Sequence, residues 1–367
     1  MSDGIKVCRN PAINFNGGMI MTLHATKLLC EDETEHEGVW PFEGEFIAND
    51  AMRLSGIVTT QAGPEGEPIQ CQITPQNLGN DYQDGRSFNF DRELARTFIS
   101  NNSQLPVASH ALLMLVEEDW GGLDWDNAVK TIVDGVGEAL KSGVAAGVGA
   151  AVGAGIGSSV GPIGTAIGTG LGAFAGFVTG EIAAAIKKTE SDIFPAQETS
   201  FMVGTRPIRT SQIVYLRFEG HGGRYLLTLE WRVRPLPSGI ERIGLQADNG
   251  DFVVAEGGGG RQLLANRPHL RSWETFGLIR LTSDRVALLA INGDFVAAEG
   301  GGGRELVANR PWIREWETFR LEELSGNRVA LRASNGQYVA AEGGGGRELV
   351  ANRPRRGPWE TFRLHRL

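Results

Sequence analysis

Asn292-Gly293-Asp294-Phe295-Val296, then Ala298-Glu299, four glycines from Gly300 to Gly303, Arg304, Leu306-Val307-Ala308-Asn309-Arg310-Pro311 and finally Trp316-Glu317-Thr318-Phe319, is one copy of a string that the chain spells three times. The copies open at Asn249, Asn292 and Asn335, so the period is 43 residues. Within each copy short apolar runs are separated by turn signals, and Asn-Gly between two such runs predicts a hairpin with positive φ at both central positions. Four strands per copy follow: Ile243 to Ala247, Phe252 to Glu256, Arg261 to Ala265 and Glu274 to Leu281 in the first. A single 43-residue copy cannot bury its own apolar face. Three copies of four strands match a closed β-trefoil over residues 236–367, in which one core is shared by three lobes.

The wording of the repeat also resembles the fascin-like β-trefoils, in particular bacterial modules carrying NGxYVxAE, a glycine-rich turn, LxANR and WExF. The resemblance covers about 130 residues, the three copies at Asn249, Asn292 and Asn335. It implies one of two activities, actin-filament bundling or binding of β-glucan in a Trp-centred pocket of each lobe. Three near-identical lobes in one trefoil are closer to the second, because fascins string several divergent trefoils together.

A Trp at a strand entry can stack on the apolar face of a sugar ring, while a carboxylate and a guanidinium hydrogen-bond its hydroxyls. The candidate carbohydrate-binding residues are therefore Trp273, Trp316 and Trp359 as platforms, with Glu256, Glu299 and Glu342 and their neighbours Arg261, Arg304 and Arg347 as polar partners. The alternative reading of a threefold Trp is a plug at the base of the barrel. Phe276, Phe319 and Phe362, three residues on, are expected in the core, and Asn266, Asn309 and Asn352 as turn residues. Trp312 has His269 and Arg355 as its counterparts, so the second pocket is expected to differ.

Charge is divided unevenly. The formal net charge is −9, yet residues 236–367 hold 18 Arg, no Lys and 16 acids, so the acidic excess lies in residues 1–235. Such a balance argues against nucleic acid as a partner, since that binding rests on phosphate neutralisation. Three cysteines, Cys8, Cys30 and Cys71, give no paired zinc motif and read as buried reduced thiols. The N-terminal residues lack the apolar core of a secretory signal, so the chain is expected to be cytoplasmic as made, with release or membrane association only in action.

A second glycine concentration lies between Lys141 and Glu181, in 39 residues without a formal charge. Gly149, Gly153 and Gly157, then Gly164, Gly168, Gly172, Gly176 and Gly180, recur every four residues and would line one face of a helix. Gly161-Pro162 breaks the run, predicting a helical hairpin within an insertion at about 126–188. Two readings stand: arms that enter a lipid membrane, or arms that pack in protein as a self-association element giving a homo-oligomer.

Alternating segments at Ile20 to Leu29, Phe42 to Ala48, Met52 to Thr59 and Ala111 to Val116, with Ser211 to Glu219 and Tyr225 to Val233 beyond the glycine run, predict a β-sandwich. The expected fold class is thus mainly β with an α insertion: an N-terminal β-sandwich (1–235) interrupted by the Gly-rich hairpin, followed by the trefoil. Glu31, Asp32, Glu118 and Asp119 stand in two acidic clusters that are candidate calcium ligands or simply solvated charge. No nucleophile elbow, phosphate loop or metal-protease motif occurs, so no enzyme is expected. The function expected is binding of a polysaccharide or cell-surface glycan, coupled to a membrane-active hairpin as in a pore-forming or defensive toxin. The alternative is an adhesin or actin-type cross-linker assembled through that hairpin.

Overall fold

The computed structural model describes residues 6–7, 13, 15–33, 51–62, 69–80, 82–101, 103, 105, 107–118, 192–204 and 210–367. They form two units, one of Met1–Arg9 with Met21–Arg234 and one of Asn10–Ile20 with Pro235–Leu367.

The first unit is built from β1 (Lys6–Val7), β2 (Gly18–Asp32), β3 (Ala51–Ala62), β4 (Ile69–Asn80), β5 (Ser87–Ser100), β6 (Val107–Glu118), β7 (Asp192–Ile193), β8 (Gln197–Val203), β9 (Ser211–Gly220) and β10 (Gly223–Pro235). One sheet runs β1-β4-β3-β6-β7 with β8 also on β6, and the other runs β5-β2-β10-β9. In β10 burial alternates residue by residue, the period-2 signature that its sequence carries, and sends Tyr225, Leu227, Leu229 and Trp231 inward. Trp231 stacks on Phe201 of β8 at 6.0 Å, and Tyr225 meets Phe194 edge-on at 5.2 Å, so the two sheets share one core. Strands β4, β5 and β8 were missed by the alternation because their polar residues are more evenly spread. Cys71 is disulfide-bonded and Cys30 is buried and free, which corrects the expectation of three reduced thiols.

The mixed fold class with a helical hairpin is corrected to an all-β one. Among the described residues the regular structure is strand, apart from three 3-10 turns of three residues each, and no helix is long and apolar enough to cross a membrane. The insertion at about 126–188 lies outside the described residues, and four-residue glycine spacing states only which faces could meet if a helix forms. Each glycine costs about 1 kcal/mol against Ala in a helix interior. Gly149, Gly153, Gly157, Gly164, Gly168, Gly172, Gly176 and Gly180 lie outside the described residues, as do Phe42 to Ala48 and Asp119.

The second unit contains β11 (Glu241–Gln246), β12 (Phe252–Ala255), β13 (Leu263–Arg267), β14 (Phe276–Arg280), β15 (Arg285–Leu289), β16 (Phe295–Ala298), β17 (Leu306–Arg310), β18 (Phe319–Leu324), β19 (Arg328–Arg332), β20 (Tyr338–Ala341), β21 (Leu349–Arg353) and β22 (Phe362–Arg366). Antiparallel pairing runs β11-β14-β15-β18-β19-β22 and returns from β22 to β11, closing a six-stranded barrel. Three hairpins, β12-β13, β16-β17 and β20-β21, cap one end. This is a β-trefoil, with Phe276, Phe319 and Phe362 fully buried in its core.

The Asn-Gly turns differ from the expected hairpin type. Only the glycine of each pair has positive φ, and the Asn side chain instead accepts the N–H two residues on, as Asn249 Oδ1 does from Asp251 at 2.9 Å. The glycine run explains the need for four in a row. Gly257 to Gly260 all have φ between 70° and 139°, and a side chain on Gly259 would coincide with that of Asn292 in the next lobe. Gly302 meets Asn335 and Gly345 meets Asn249 in the same way, so the three contacts close a ring. Asn292 N–H donates to Gly258 O at 3.2 Å, Asn335 to Gly301 and Asn249 to Gly344 at 3.0 Å. Each repeat is therefore locked by its neighbour, as one shared core requires.

One segment breaks the threefold symmetry. Residues 13 and 15–20, which the sequence grouped with the first domain, pack on the trefoil between the first and second lobes. Ile13 N–H donates to Ile291 O at 2.9 Å, Ile20 lies against Gly293, and the buried Phe15 ring sits 2.7 Å from where a Cβ on Gly277 would be. Phe15 has φ of 58°, an unfavourable conformation for a bulky residue that its burial offsets.

Candidate functional site

The four residues Trp-Glu-Thr-Phe have four separate tasks in each lobe. Phe fills the core. Glu274, Glu317 and Glu360 turn inward, 4%, 3% and 5% exposed, and accept backbone N–H groups three residues earlier, from Arg271 at 2.9 Å, Arg314 at 2.8 Å and Gly357 at 2.6 Å. Thr275, Thr318 and Thr361 donate their hydroxyls to the carbonyls of the same three residues at 2.7, 2.7 and 2.8 Å. The loop is thus closed on itself by a buried carboxylate and a hydroxyl, which satisfy backbone groups that would otherwise be unpaired.

That closure leaves Trp nowhere inside to go. Trp273, Trp316 and Trp359 are 44%, 39% and 41% exposed, which removes the reading of a plug sealed in the barrel. Their main chains are fixed, since Ala255, Ala298 and Ala341 donate to the three Trp carbonyls at 3.0, 2.9 and 2.9 Å. Each indole Nε1 edge rests on the second glycine of a run, 3.3 Å from the Cβ position of Gly258 and Gly301 and 3.0 Å from that of Gly344. Each ring is thus held at its edge over bare backbone, with part of its surface open to solvent.

Beside each ring is a polar cluster that the sequence reading assembled from the wrong arginines. Glu256, Glu299 and Glu342 pair with Arg267, Arg310 and Arg353 at 2.7, 2.9 and 2.8 Å. Those arginines also approach the buried Glu274, Glu317 and Glu360 at 3.9, 3.8 and 3.8 Å, and are held by Asn266, Asn309 and Asn352 at 2.7, 2.8 and 2.9 Å. The asparagines are strand residues of this cluster, not turn residues. Arg261, Arg304 and Arg347 are exposed and make no ion pair with those glutamates. The reason is the reverse turn of the glycine run, which brings the far end of β13 back beside Glu256 while Arg261 leaves at the tip. The repeated Asn-Arg-Pro was the available signal.

A groove of about 440 Å³ flanks Trp273, lined also by Arg267, Pro268, His269 and Ser272. Trp312, at the position of His269, is 55% exposed and gives the second lobe an additional ring. Of the calcium candidates, Asp119 and the side chain of Glu118 lie outside the described residues. Glu31 lies 3.1 Å from Arg217 and Asp32 lies 3.2 Å from Arg224, and among the described residues no group of three or more His, Cys, Asp or Glu is placed to hold a metal. Carboxylates on a strand end meet the cations of the neighbouring strands more readily than one another.

The closed ring of strand pairs defines the class, a β-trefoil, which carries three exposed Trp side chains and a groove beside the first of them. No protein-family model matches the chain, and no curated protein matches it. Among solved structures it is similar to a designed threefold-symmetric protein, ThreeFoil, with 17% identity and a TM-score of 0.32, covering 34% of this chain and 99% of that one. It is also similar to an apo crystal form described as BEL beta-trefoil, with 12% identity and a TM-score of 0.31, covering 36% of this chain and 97% of that one.

Proposed function

We propose that the protein is a polysaccharide-binding protein whose trefoil presents Trp273, Trp316 and Trp359 to a β-glucan-like chain. The observation that carries this reading is the exposure of all three indoles on loops closed by the buried Glu274, Glu317 and Glu360. A large apolar ring repeatedly kept in water costs solvation free energy and marks a binding surface. The Glu–Arg pairs beside the rings supply acceptors and donors to sugar hydroxyls. The resemblance to the glucan-binding fascin-like modules points to the same class. Three sites on one rigid body raise avidity for a polymer that spans two of them, whereas a monosaccharide gains nothing from the repeat. The role is binding, without catalysis.

Retention on insoluble β-glucan tests this. The full chain is expected to be retained and the Trp273→Ala/Trp316→Ala/Trp359→Ala variant to pass through, with an unchanged far-ultraviolet spectrum. Equal retention of both would refute the platforms.

A further inference from the structure

The trefoil has three pseudo-equivalent clefts between neighbouring lobes, and they do not have the same contents. The first, where Gly277 and Ile291 lie, is filled by Ile13, Phe15 and Ile20. The second, of about 710 Å³, is open and lined by Arg285, Arg314, Arg320 and Arg332. The third, of about 590 Å³, is open and lined by Arg328, Arg356 and Arg363.

In both open clefts two arginines stand directly opposite each other on adjacent barrel strands. Arg285 pairs in register with Arg320 across β15 and β18, and Arg328 pairs with Arg363 across β19 and β22. In the filled cleft the corresponding pair is Arg242 and Gly277. Like charges directly opposite in a sheet destabilise it, so their occurrence twice calls for a counter-charge. The molecule supplies it incompletely. Arg320 reaches Asp284 at 3.2 Å and Arg356 reaches Glu322 at 3.0 Å, but among the described residues Arg285, Arg314 and Arg363 have no carboxylate partner. Arg328 donates from Nε and one Nη to Ser325 and makes no ion pair with a carboxylate among the described residues. Each cleft also contains acid, Asp284 and Glu315 in one and Asp248 in the other, and the arginines outnumber it in both.

We infer that the two open clefts bind oxyanion groups, carboxylate or sulfate, carried on an acidic polysaccharide, with Arg285/Arg320 and Arg328/Arg363 as the paired donors. This rests on the polysaccharide reading above and names the substituents the chain carries. Two guanidinium planes facing one cleft match the fork geometry that an oxyanion accepts. The clefts lie on loops that also bear the platforms, since Glu315 and Pro358 line them and immediately precede Trp316 and Trp359. A polymer laid over those rings therefore brings its acidic substituents close to the arginines. The first lobe boundary has no such site, so the trefoil offers three platforms but two oxyanion sites.

The test compares the affinity of the full chain for dextran sulfate and for unsubstituted dextran of equal length, with inorganic sulfate as a separate competitor. Arg320→Ala/Arg363→Ala is set against Arg92→Ala/Arg242→Ala, which removes the same charge elsewhere. The first double variant is expected to lose at least about tenfold in affinity for dextran sulfate and the second less than about threefold, the polymer engaging both clefts at once. Arg320→Lys/Arg363→Lys, which keeps the charge without the planar fork, is expected to fall between. Equal losses in the two Ala variants would overturn the sites in favour of diffuse attraction. Displacement of the polymer by micromolar inorganic sulfate would overturn the polymeric ligand in favour of a free ion. Retention on neutral β-glucan depends on the tryptophans alone, so its failure counts against the proposed function and leaves the arginine comparison standing.

Discussion

The filled and the open clefts of the trefoil are the same structural element with different side chains, and the difference lies in a few positions. Where the second and third copies have Arg320 and Arg363, the first has Gly277, and where the first and third have Asp248 and Ser334, the second has Ile291. Removing one side chain and making one turn apolar admits Phe15 and Ile13 and buries the Asn292 turn, whose counterparts Asn249 and Asn335 stay exposed. A repeat protein can thus keep its ring of backbone contacts threefold while each boundary takes a different occupant, because the ring depends on glycines and asparagines and the cleft on strand residues that face out.

The largest expected effect comes from making the filled cleft like the others. Gly277→Arg puts a long charged side chain where the Phe15 ring lies, and a loss of at least about 3 kcal/mol in urea unfolding is expected from overpacking and a desolvated charge. The reverse change, Arg320→Gly, is expected to cost less than about 1 kcal/mol, the penalty of glycine in a strand without any clash. Similar costs for the two would mean that residues 13–20 contribute little. Phe15→Ala removes a buried ring and is expected to cost about 3 kcal/mol, measured in the same way.

An effect of pH separates the first unit from the trefoil. His110 is buried on β6, its Nε2 has no hydrogen-bond partner among the described residues, and desolvation pushes its pKa down to about 4. The unfolded chain takes up this proton near pH 6.5 and the folded one does not until about pH 4. Stability is therefore full above pH 6.5 and declines as pH falls towards 4, by up to about 1.4 kcal/mol per pH unit. His110→Leu is expected to flatten this decline over pH 4 to 6.5 for the first unit, followed by Trp231 fluorescence and denaturant unfolding, and an unchanged slope would count against it.

The trefoil was legible because its information is repeated and local. Asn-Gly, the glycine run and Trp-Glu-Thr-Phe each fix a turn or a strand entry, and recurrence three times turns weak signals into one topology. The buried Phe was legible from the repeat, whereas the Trp stayed open between platform and plug, and the partner of Glu256 was not legible because Arg267 reaches it only after the chain reverses. Segment 13–20 was invisible for a different reason. Ile13, Phe15 and Ile20 look like the start of an ordinary strand, and only the departures at Gly277 and Ile291 from the repeat betray a guest. In the first unit, strands such as Gly223–Pro235 alternate cleanly and were found, while Ile69–Asn80 and Ser87–Ser100 mix polar residues on both faces. The glycine spacing of residues 149–180 states which faces could meet in a helix, and those residues lie outside the described ones.

The most direct measurement is the amount of protein retained on insoluble β-glucan as the indoles are removed one, two and three at a time by Trp→Ala at 273, 316 and 359. Stepwise weakening, steeper than additive because avidity is lost along with each site, is the predicted result. Retention that is indifferent to the number of rings removed would contradict the account.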